Sequence, residues 1–484
     1  MPNAYSSTEE SPTTEYRMFW KHKSLCVCVV GCALLATPSH LTIKLCVATV
    51  TRLFVEPITR EARTNNMLRL FASAIFVVAN CAGMLGQAVQ TDNLLPAPTG
   101  LLTVGRVSYY WIDSARPEPL AQEKHAYREL MVDVWYPAKT VAAQPPAPYL
   151  PDLAAAEANL GQAEVKAVFG DAFTQVLEGH LYTHAEENAA FAASLSKCPV
   201  LIFSHGLGML KTDYTSVIED LVSHGYVVAS IAHTYDTKIV AFPDGRVVQF
   251  DEKGRQAHGG SDEESIEYGN ERSRVWAADI RFVIDELARY DSERGLDSPL
   301  FAHLDMARIG AFGHSDGGRA AALACQTDHR IRACLDMDGV ADNLPFYRDV
   351  QGHTMAQPFL LFARPRKVPT EHDAAKMGYT RDQLEQLGTA VVKKQTDLLT
   401  RMPGGAYRVT ISTPGVIHMS FSDAPLIEQD NDTTRGDALS ALTLIREYTL
   451  AFFNEALLHK RSPLLGEAAA ERKGAEVEWF PPPH

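Results

Sequence analysis

The sequence predicts an α/β protein, with a mainly parallel central sheet covered by helices on both faces. Three observations point there. Short, wholly apolar runs such as residues 199–204 (PVLIFS) recur along the chain, as strands buried on both faces do. Amphipathic or alanine-rich stretches separate these runs. One run is joined to one such stretch by a tight glycine-rich turn at residues 313–317 (GHSDG). With 46% hydrophobic and 21% charged residues, the 484-residue chain has the composition of a folded globular protein. Its formal charge of -14 argues against a nucleic-acid binder, because neutralising phosphates takes a basic surface.

The body opens with a proline-punctuated lead-in at residues 93–102. Residues 129–136 (ELMVDVWY) alternate apolar and polar side chains and carry Val, Trp and Tyr, so they read as a strand ended by Pro137. A proline-rich loop follows at residues 143–151, then a helical region rich in Ala, Glu and Leu over 154–193, broken near Gly170. Next come a strand at 199–204, a helix at 214–223 closed by Gly225, and a strand at 227–231. Residues 251–270 are charged and glycine-rich and read as a surface loop, and 271–290 as a strongly amphipathic helix. The pattern continues with a strand at 309–312, a helix at 317–324, and strands at 331–337 and 359–363. Residues 370–402 are helical and charged, 407–411 a strand, and 438–458 the last helix. The tail beyond Pro463 reads as loosely ordered, with Trp479 and Phe480 as points of attachment. This divides the chain into a leader at 1–88, a single α/β domain at 89–462 and a tail at 463–484.

The leader differs from the body. It carries a net charge of +3, which leaves -17 for the rest, and it holds five of the eight cysteines. Residues 67–88 have the layout of a secretory signal: a basic start (MLRL), an apolar run from Phe71 to Leu85, and Gly86-Gln87-Ala88 as a small-x-small cleavage site. Met67 thus reads as the true start and residues 1–66 as an upstream extension. The alternative is a weak membrane anchor at 25–56, although neither apolar stretch has the length of a clean spanning helix. The expected destination is secreted or periplasmic. Cleavage after Ala88 leaves 396 residues with Cys198, Cys325 and Cys334. An odd number leaves at least one thiol free, and no structural disulfide is required. No Cys/His cluster has zinc spacing, so no metal is expected.

The chemistry centres on Gly313-His314-Ser315-Asp316-Gly317, a Gly-x-Ser-x-Gly motif between a strand and a helix, which is the setting of a nucleophile elbow. Small flanking residues let the backbone fold tightly around Ser315, and the helix amino terminus directs free N–H groups at a developing oxyanion. A serine needs a base, and the base an orienting carboxylate. In such enzymes the chain order is Ser, acid, His. Residues 335–339 (LDMDG) offer two carboxylates on one strand face. Asp338 is nearer the strand's carboxyl end, where ligands bind, and is the better acid; Asp336 is the structural one. His418 lies in residues 415–421 (GVIHMSF), after a late strand and before the last helix. His329, His353 and His372 come too early, and His459 and His484 too late. The oxyanion donors are the backbone N–H groups of Asp316 and of Leu207, in the FSHGLG segment at 203–208, with His205 bracing that loop.

These blocks in this order (FSHGLG, Tyr214, SHGYVVASIAH at 223–233, GHSDGG, LDMDG and GVIHMSF) resemble the platelet-activating factor acetylhydrolase family. The resemblance covers roughly residues 129–458. It implies the α/β-hydrolase fold, the triad Ser315, Asp338 and His418, oxyanion donors Leu207 and Asp316, and no cofactor. It also implies hydrolysis of short acyl esters, among them the sn-2 acyl groups of phospholipids, with transient contact at a membrane or lipoprotein surface; the acidic body argues against electrostatic attachment to anionic membranes. Two departures bear on the substrate. Position 316 usually carries an aromatic residue, and the carboxylate here is expected to disfavour anionic substrates or shift the pH profile. The 80 residues from Asp338 to His418 hold the charged helical segment near 370–402, placed to act as a lid or to reshape the acyl pocket. Other readings are a cutinase-like polyester or lactone hydrolase using the same triad, and an inactive hydrolase-fold binding protein.

Overall fold

The computed structural model describes residues 28–30, 48–50 and 93–483, apart from 122, 124, 141–144, 193, 253–261, 293–298, 340–354, 366–369, 377, 429–431 and 467–470. The expected signal at 67–88 lies outside the described residues. The chain forms two units, Met1–Gln90 and Thr91–His484. In the first, strands β1 (Cys28–Val30) and β2 (Ala48–Val50) pair antiparallel.

The second unit is built on a ten-stranded sheet with the order β14-β13-β12-β11-β10-β6-β7-β4-β3-β5. Its strands are β3 (Thr103–Pro117), β4 (Tyr127–Ala138), β5 (Ala185–Glu187), β6 (Cys198–Ser204), β7 (Val227–Ala232), β10 (Leu304–His314), β11 (Ile331–Met337), β12 (Phe359–Ala363), β13 (Ala406–Ile411) and β14 (Ala475–Phe480). From β7 to β13 all neighbours run parallel. A small hairpin, β8 (Ile239–Ala241) with β9 (Val247–Gln249), stands apart.

The helices of this unit are α1 (Leu153–Leu160), α2 (Gln162–Phe169), α3 (Asp171–Leu177), α4 (Thr215–Ser223), α5 (Asp262–Ser292), α6 (Asp316–Thr327), α7 (Glu371–Lys376), α8 (Arg381–Leu399), α9 (Ala424–Ile427) and α10 (Asp432–Leu458). Alternation along the strands decides which helix packs where. Val200, Ile202, Ile309 and Ala311 face Trp276, Ile280 and Ile284 of α5 and the alanines of α6. Leu201, Phe203, Phe312 and Leu335 face Val217 and Leu221 of α4 and Ile445 and Phe453 of α10. Burial on both faces is why these strands read as unbroken apolar runs.

The mainly parallel sheet with helices on both faces agrees with the expected fold class, and several boundaries move. The 15-residue β3 was not expected, because its tyrosines and arginines mask a strand that pairs antiparallel with β4 from Thr103 to Asp113 and again at Pro117. The helical region after residue 153 is cut by Gly161 and Gly170, both at positive φ, and ends at Leu177 rather than 193. Of the expected loop at 251–270, residues 262–270 are already helix, the first turns of the 31-residue α5. The tail is held at residues 475–480: β14 adds antiparallel to β13, Trp479 packs on Tyr407 as an expected point of attachment, and Arg408 pairs with Glu478.

A disulfide joins Cys325 of α6 to Cys334 of β11, where the sequence reading required none, and Cys198 is a free, buried thiol. The bridge closes a nine-residue separation between the helix that follows Ser315 and the strand that leads to Asp338. Replacing both cysteines by alanine is expected to lower the stability by about 2–3 kcal/mol through lost loop constraint, read as a lower urea midpoint than wild type under non-reducing conditions.

Candidate active site

The Gly-x-Ser-x-Gly segment forms the turn from β10 into α6. Ser315 sits at φ 55°, ψ -122°, a conformation that L-residues seldom adopt. Three glycines make it possible. A Cβ at Gly313 would strike the backbone of Gly317, one at Gly317 would strike the Ser204 carbonyl, and one at Gly318 would overlap the Asp336 carboxylate. Ser315 N–H donates to the Met337 carbonyl at 2.9 Å, which ties the elbow to the end of β11.

Asp338 follows that strand end. Its φ of 57° takes it out of the extended conformation, so it does not share a face with Asp336 as strand alternation alone would have it. Asp336 is fully buried and accepts from Gly339 N–H at 2.7 Å, a structural role. Asp338 instead meets His418: His418 Nδ1 donates to Asp338 Oδ2 at 2.7 Å. The same oxygen accepts from Arg364 Nε at 2.6 Å. His418 opens a 3-10 turn, His418–Phe421, and its side chain is 37% exposed against 11% for Asp338, so the imidazole faces solvent and the carboxylate lies behind it.

The Leu207 loop is held from several directions. Gly208 has φ 71° and its N–H donates to the Asp236 carbonyl. His205 is buried: its Nδ1 donates to the Gly206 carbonyl at 2.7 Å, and its Nε2 accepts from His233 N–H at 3.1 Å. Burial, with His233 beside it, pulls the His205 imidazole well below its usual range and keeps it neutral, as this tautomer requires. Among the described residues, neither Leu207 N–H nor Asp316 N–H has a partner within the protein, which leaves both available to a ligand oxygen. Asp316 does not stand as a lone negative charge. Arg319, one helical turn on, pairs with it at 2.9 Å, so the carboxylate next to Ser315 is offset from within α6.

Four residues of this assembly were missed in the sequence: His314, Arg364, His233 and Asp279. His314 stands inside the elbow motif and His233 ends a quoted block, yet neither has a spacing that marks a role. Arg364 and Asp279 give no local signal. His233 Nδ1 donates to Asp279 Oδ2 at 2.8 Å, and its Nε2 lies 2.7 Å from Ser204 Oγ. This is a second Ser, His, carboxylate array, but all three side chains are sealed from solvent. Burial would raise the Asp279 carboxyl, yet Arg128 beside it holds it below its usual range. Trp276 stacks on His233 at 4.2 Å. The array supports the strand end from which the Leu207 loop departs.

Residues 87–257 match the family described as platelet-activating factor acetylhydrolase, isoform II. The chain resembles the platelet-activating factor acetylhydrolases in sequence. It is 25% identical over 280 residues, 55% of the chain and 62% of the relative, to a protein of Arthroderma benhamiae named "Probable 1-alkyl-2-acetylglycerophosphocholine esterase". It is 25% identical over 250 residues to the platelet-activating factor acetylhydrolase of Gallus gallus, covering 48% of the chain and 58% of the relative. It is 29% identical over 175 residues to that of Bos taurus, 33% of the chain and 39% of the relative. The chain thus spans between 39% and 62% of the length of these curated relatives. Among solved structures, a ferulic acid esterase from Streptomyces cinnamoneus superposes with a TM-score of 0.58 at 25% identity, over 81% of this chain and all of the other.

Five residues after His418, Asp423 is buried, its backbone N–H donates to the Asp213 carbonyl, and its carboxyl accepts from Ser216 N–H in the first turn of α4. Burial, with Asp213 and Glu219 nearby, pushes this carboxyl up to about 8, against the pull of Ser216. In the unfolded chain it titrates at about 4. Between those values the folded state holds a proton that the unfolded state has released, so stability falls as pH rises through the window. Asp423→Asn keeps the acceptor and removes the titration. Urea midpoints measured at about pH 5 and about pH 8 are expected to drop less in the variant than in wild type; equal drops would count against it.

Proposed function

We propose that this protein is a serine carboxylic-ester hydrolase acting on short acyl esters, including phospholipid or lipid-like esters, through an acyl-enzyme. The observation that carries this reading is the 2.7 Å contact of His418 Nδ1 with Asp338, beside a serine on a strained strand-to-helix turn. With Nδ1–H given to the carboxylate, Nε2 is left as the base. His418 takes the Ser315 proton as Oγ attacks the ester carbonyl, and Asp338 holds the ring's orientation and stabilises its cation. The N–H groups of Leu207 and Asp316 receive the oxyanion, at the amino end of α6, where the helix dipole favours negative charge. His418 returns its proton to the leaving alcohol. The same residue then activates water to release the acid. No step calls for a metal or an organic cofactor.

The names of the relatives support short acyl groups on glycerophosphocholine as substrates, and the esterase neighbour supports ester hydrolysis more broadly. Pairing of Asp316 with Arg319 supports keeping phosphate-bearing esters within the substrate class. We further infer that the protein works outside the reducing cytosol. The Cys325–Cys334 disulfide and the signal-like layout of residues 67–88 support a secreted or periplasmic place. Among the described residues, no helix is long and apolar enough to cross a membrane.

The test is hydrolysis of p-nitrophenyl esters from acetyl to palmitoyl by residues 89–484, beside Ser315→Ala. The rate is expected to peak at short chains and to fall by at least about 10³-fold in the variant, because the nucleophile and its base act as one unit. Equal rates in the two proteins, or failure of a fluorophosphonate to label Ser315, would sink the assignment.

A further inference from the structure

Tyr214 takes no part in the chemistry just proposed, yet its hydroxyl lies where three parts of the site meet. Gly206 N–H donates to Tyr214 Oη at 2.9 Å. Tyr214 Oη lies 2.7 Å from His314 Nδ1. His314 Nε2 lies 3.0 Å from the backbone carbonyl oxygen of His418. The direction of every link is determined. A carbonyl only accepts, so His314 carries its proton on Nε2. Its Nδ1 then accepts, and the Tyr214 O–H donates to it. Met209 Sδ, 2.8 Å from the same hydroxyl, is the weaker acceptor for that single proton. Both side chains are sealed from solvent, at 0% exposure for Tyr214 and 1% for His314. Burial, with His418 beside it, draws the His314 imidazole down to about 3, so one neutral tautomer persists over the working pH range.

The chain of bonds runs from the residue before Leu207, through the residue before Ser315, to the backbone of His418. We propose that Tyr214 and His314 are positioning residues that hold the oxyanion loop and the histidine loop at a set separation across Ser315. The space around the hydroxyl is filled: a Cβ on Gly206 would lie 3.1 Å from His314 Nδ1, from Met209 Sδ and from Tyr214 Oη. The rings reinforce the bonds. His314 lies 4.4 Å from the His418 ring, and Tyr214 packs on Phe203 at 4.6 Å. The donor that receives the oxyanion and the base that moves the proton are therefore referenced to one hydroxyl. Misplacement of either by about 1 Å costs on the order of 10²-fold in rate. This inference rests on the proposed roles of Ser315, His418 and Leu207.

The test compares kcat, KM and thermal melting on p-nitrophenyl acetate for wild type, Ser315→Ala, Tyr214→Phe, His314→Asn and the double variant Tyr214→Phe/His314→Asn. Tyr214→Phe removes the shared hydroxyl. His314→Asn keeps an acceptor toward Tyr214 but loses the donor to the His418 carbonyl. Each is expected to lower kcat by about 10- to 100-fold with KM within about threefold, since binding is untouched and alignment is lost. The double variant is expected to be no slower than the worse single one, because both cut the same chain. A kcat within about twofold of wild type in both singles, or losses that multiply in the double, would overturn the inference while wild-type activity and an inactive Ser315→Ala leave the esterase reading in place. If Tyr214→Phe fails to melt cooperatively, His314→Asn alone decides by the same criterion. A wild type no faster than Ser315→Ala would overturn both.

Discussion

The site depends on how closely α6 can approach the end of β6. At Gly317 the helix backbone meets the Ser204 carbonyl with no room for a side chain, and at Gly318 it meets Asp336. Only that approach lets the chain reverse from β10 into α6 within one residue, and the residue at the apex is Ser315, held at φ 55°. The strain is confined there because the surroundings overdetermine it: N–H of Ser315 on Met337, α6 packed on the sheet through alanines, and Cys325 bonded to Cys334. Ser204 is also the last residue of β6, so the contact that makes the elbow also sets where the Leu207 loop begins.

The polar side of the site follows one rule: buried imidazoles stay neutral, and buried charges are paired. His205, His233 and His314 are all drawn below their usual range, with burial as the leading cause. Each is then a one-donor, one-acceptor unit and fixes a direction of hydrogen bonding. Arg128 closes on Asp279 and Glu118, and Arg272 on Asp236, so the charge beneath the site is compensated within the protein. His418, by contrast, is partly exposed and keeps one nitrogen clear of the carboxylate. The division separates buried imidazoles that hold shape from the one that stays open to solvent.

Several parts of this were legible in the chain. Short, mostly apolar stretches on strands buried on both faces made β6, β7, β11, β12 and β13 legible almost to the residue. The elbow and the later carboxylate were readable because each directly follows a strand, and the histidine because it lies in the loop between a late strand and the last helix. β3 and β14 were not, because edge and near-edge strands bury less of each residue and carry Arg, Glu and Tyr that weaken the alternation. The disulfide was hidden for a different reason: two cysteines nine residues apart say nothing until a helix and a strand bring their Cα atoms to 6.5 Å.

Residue types, their order and the local turns follow from the chain alone, because the elbow serine, its glycines and the strand ends answer to steric demands that act over a few residues. Tertiary structure decided which groups meet. His418 reaches Asp338 across 80 residues, Arg364 reaches the same oxygen, and Tyr214 reaches His314 across 100. Such contacts depend on how sheet order and helix packing place distant segments, and no periodicity in the chain encodes a distance between them.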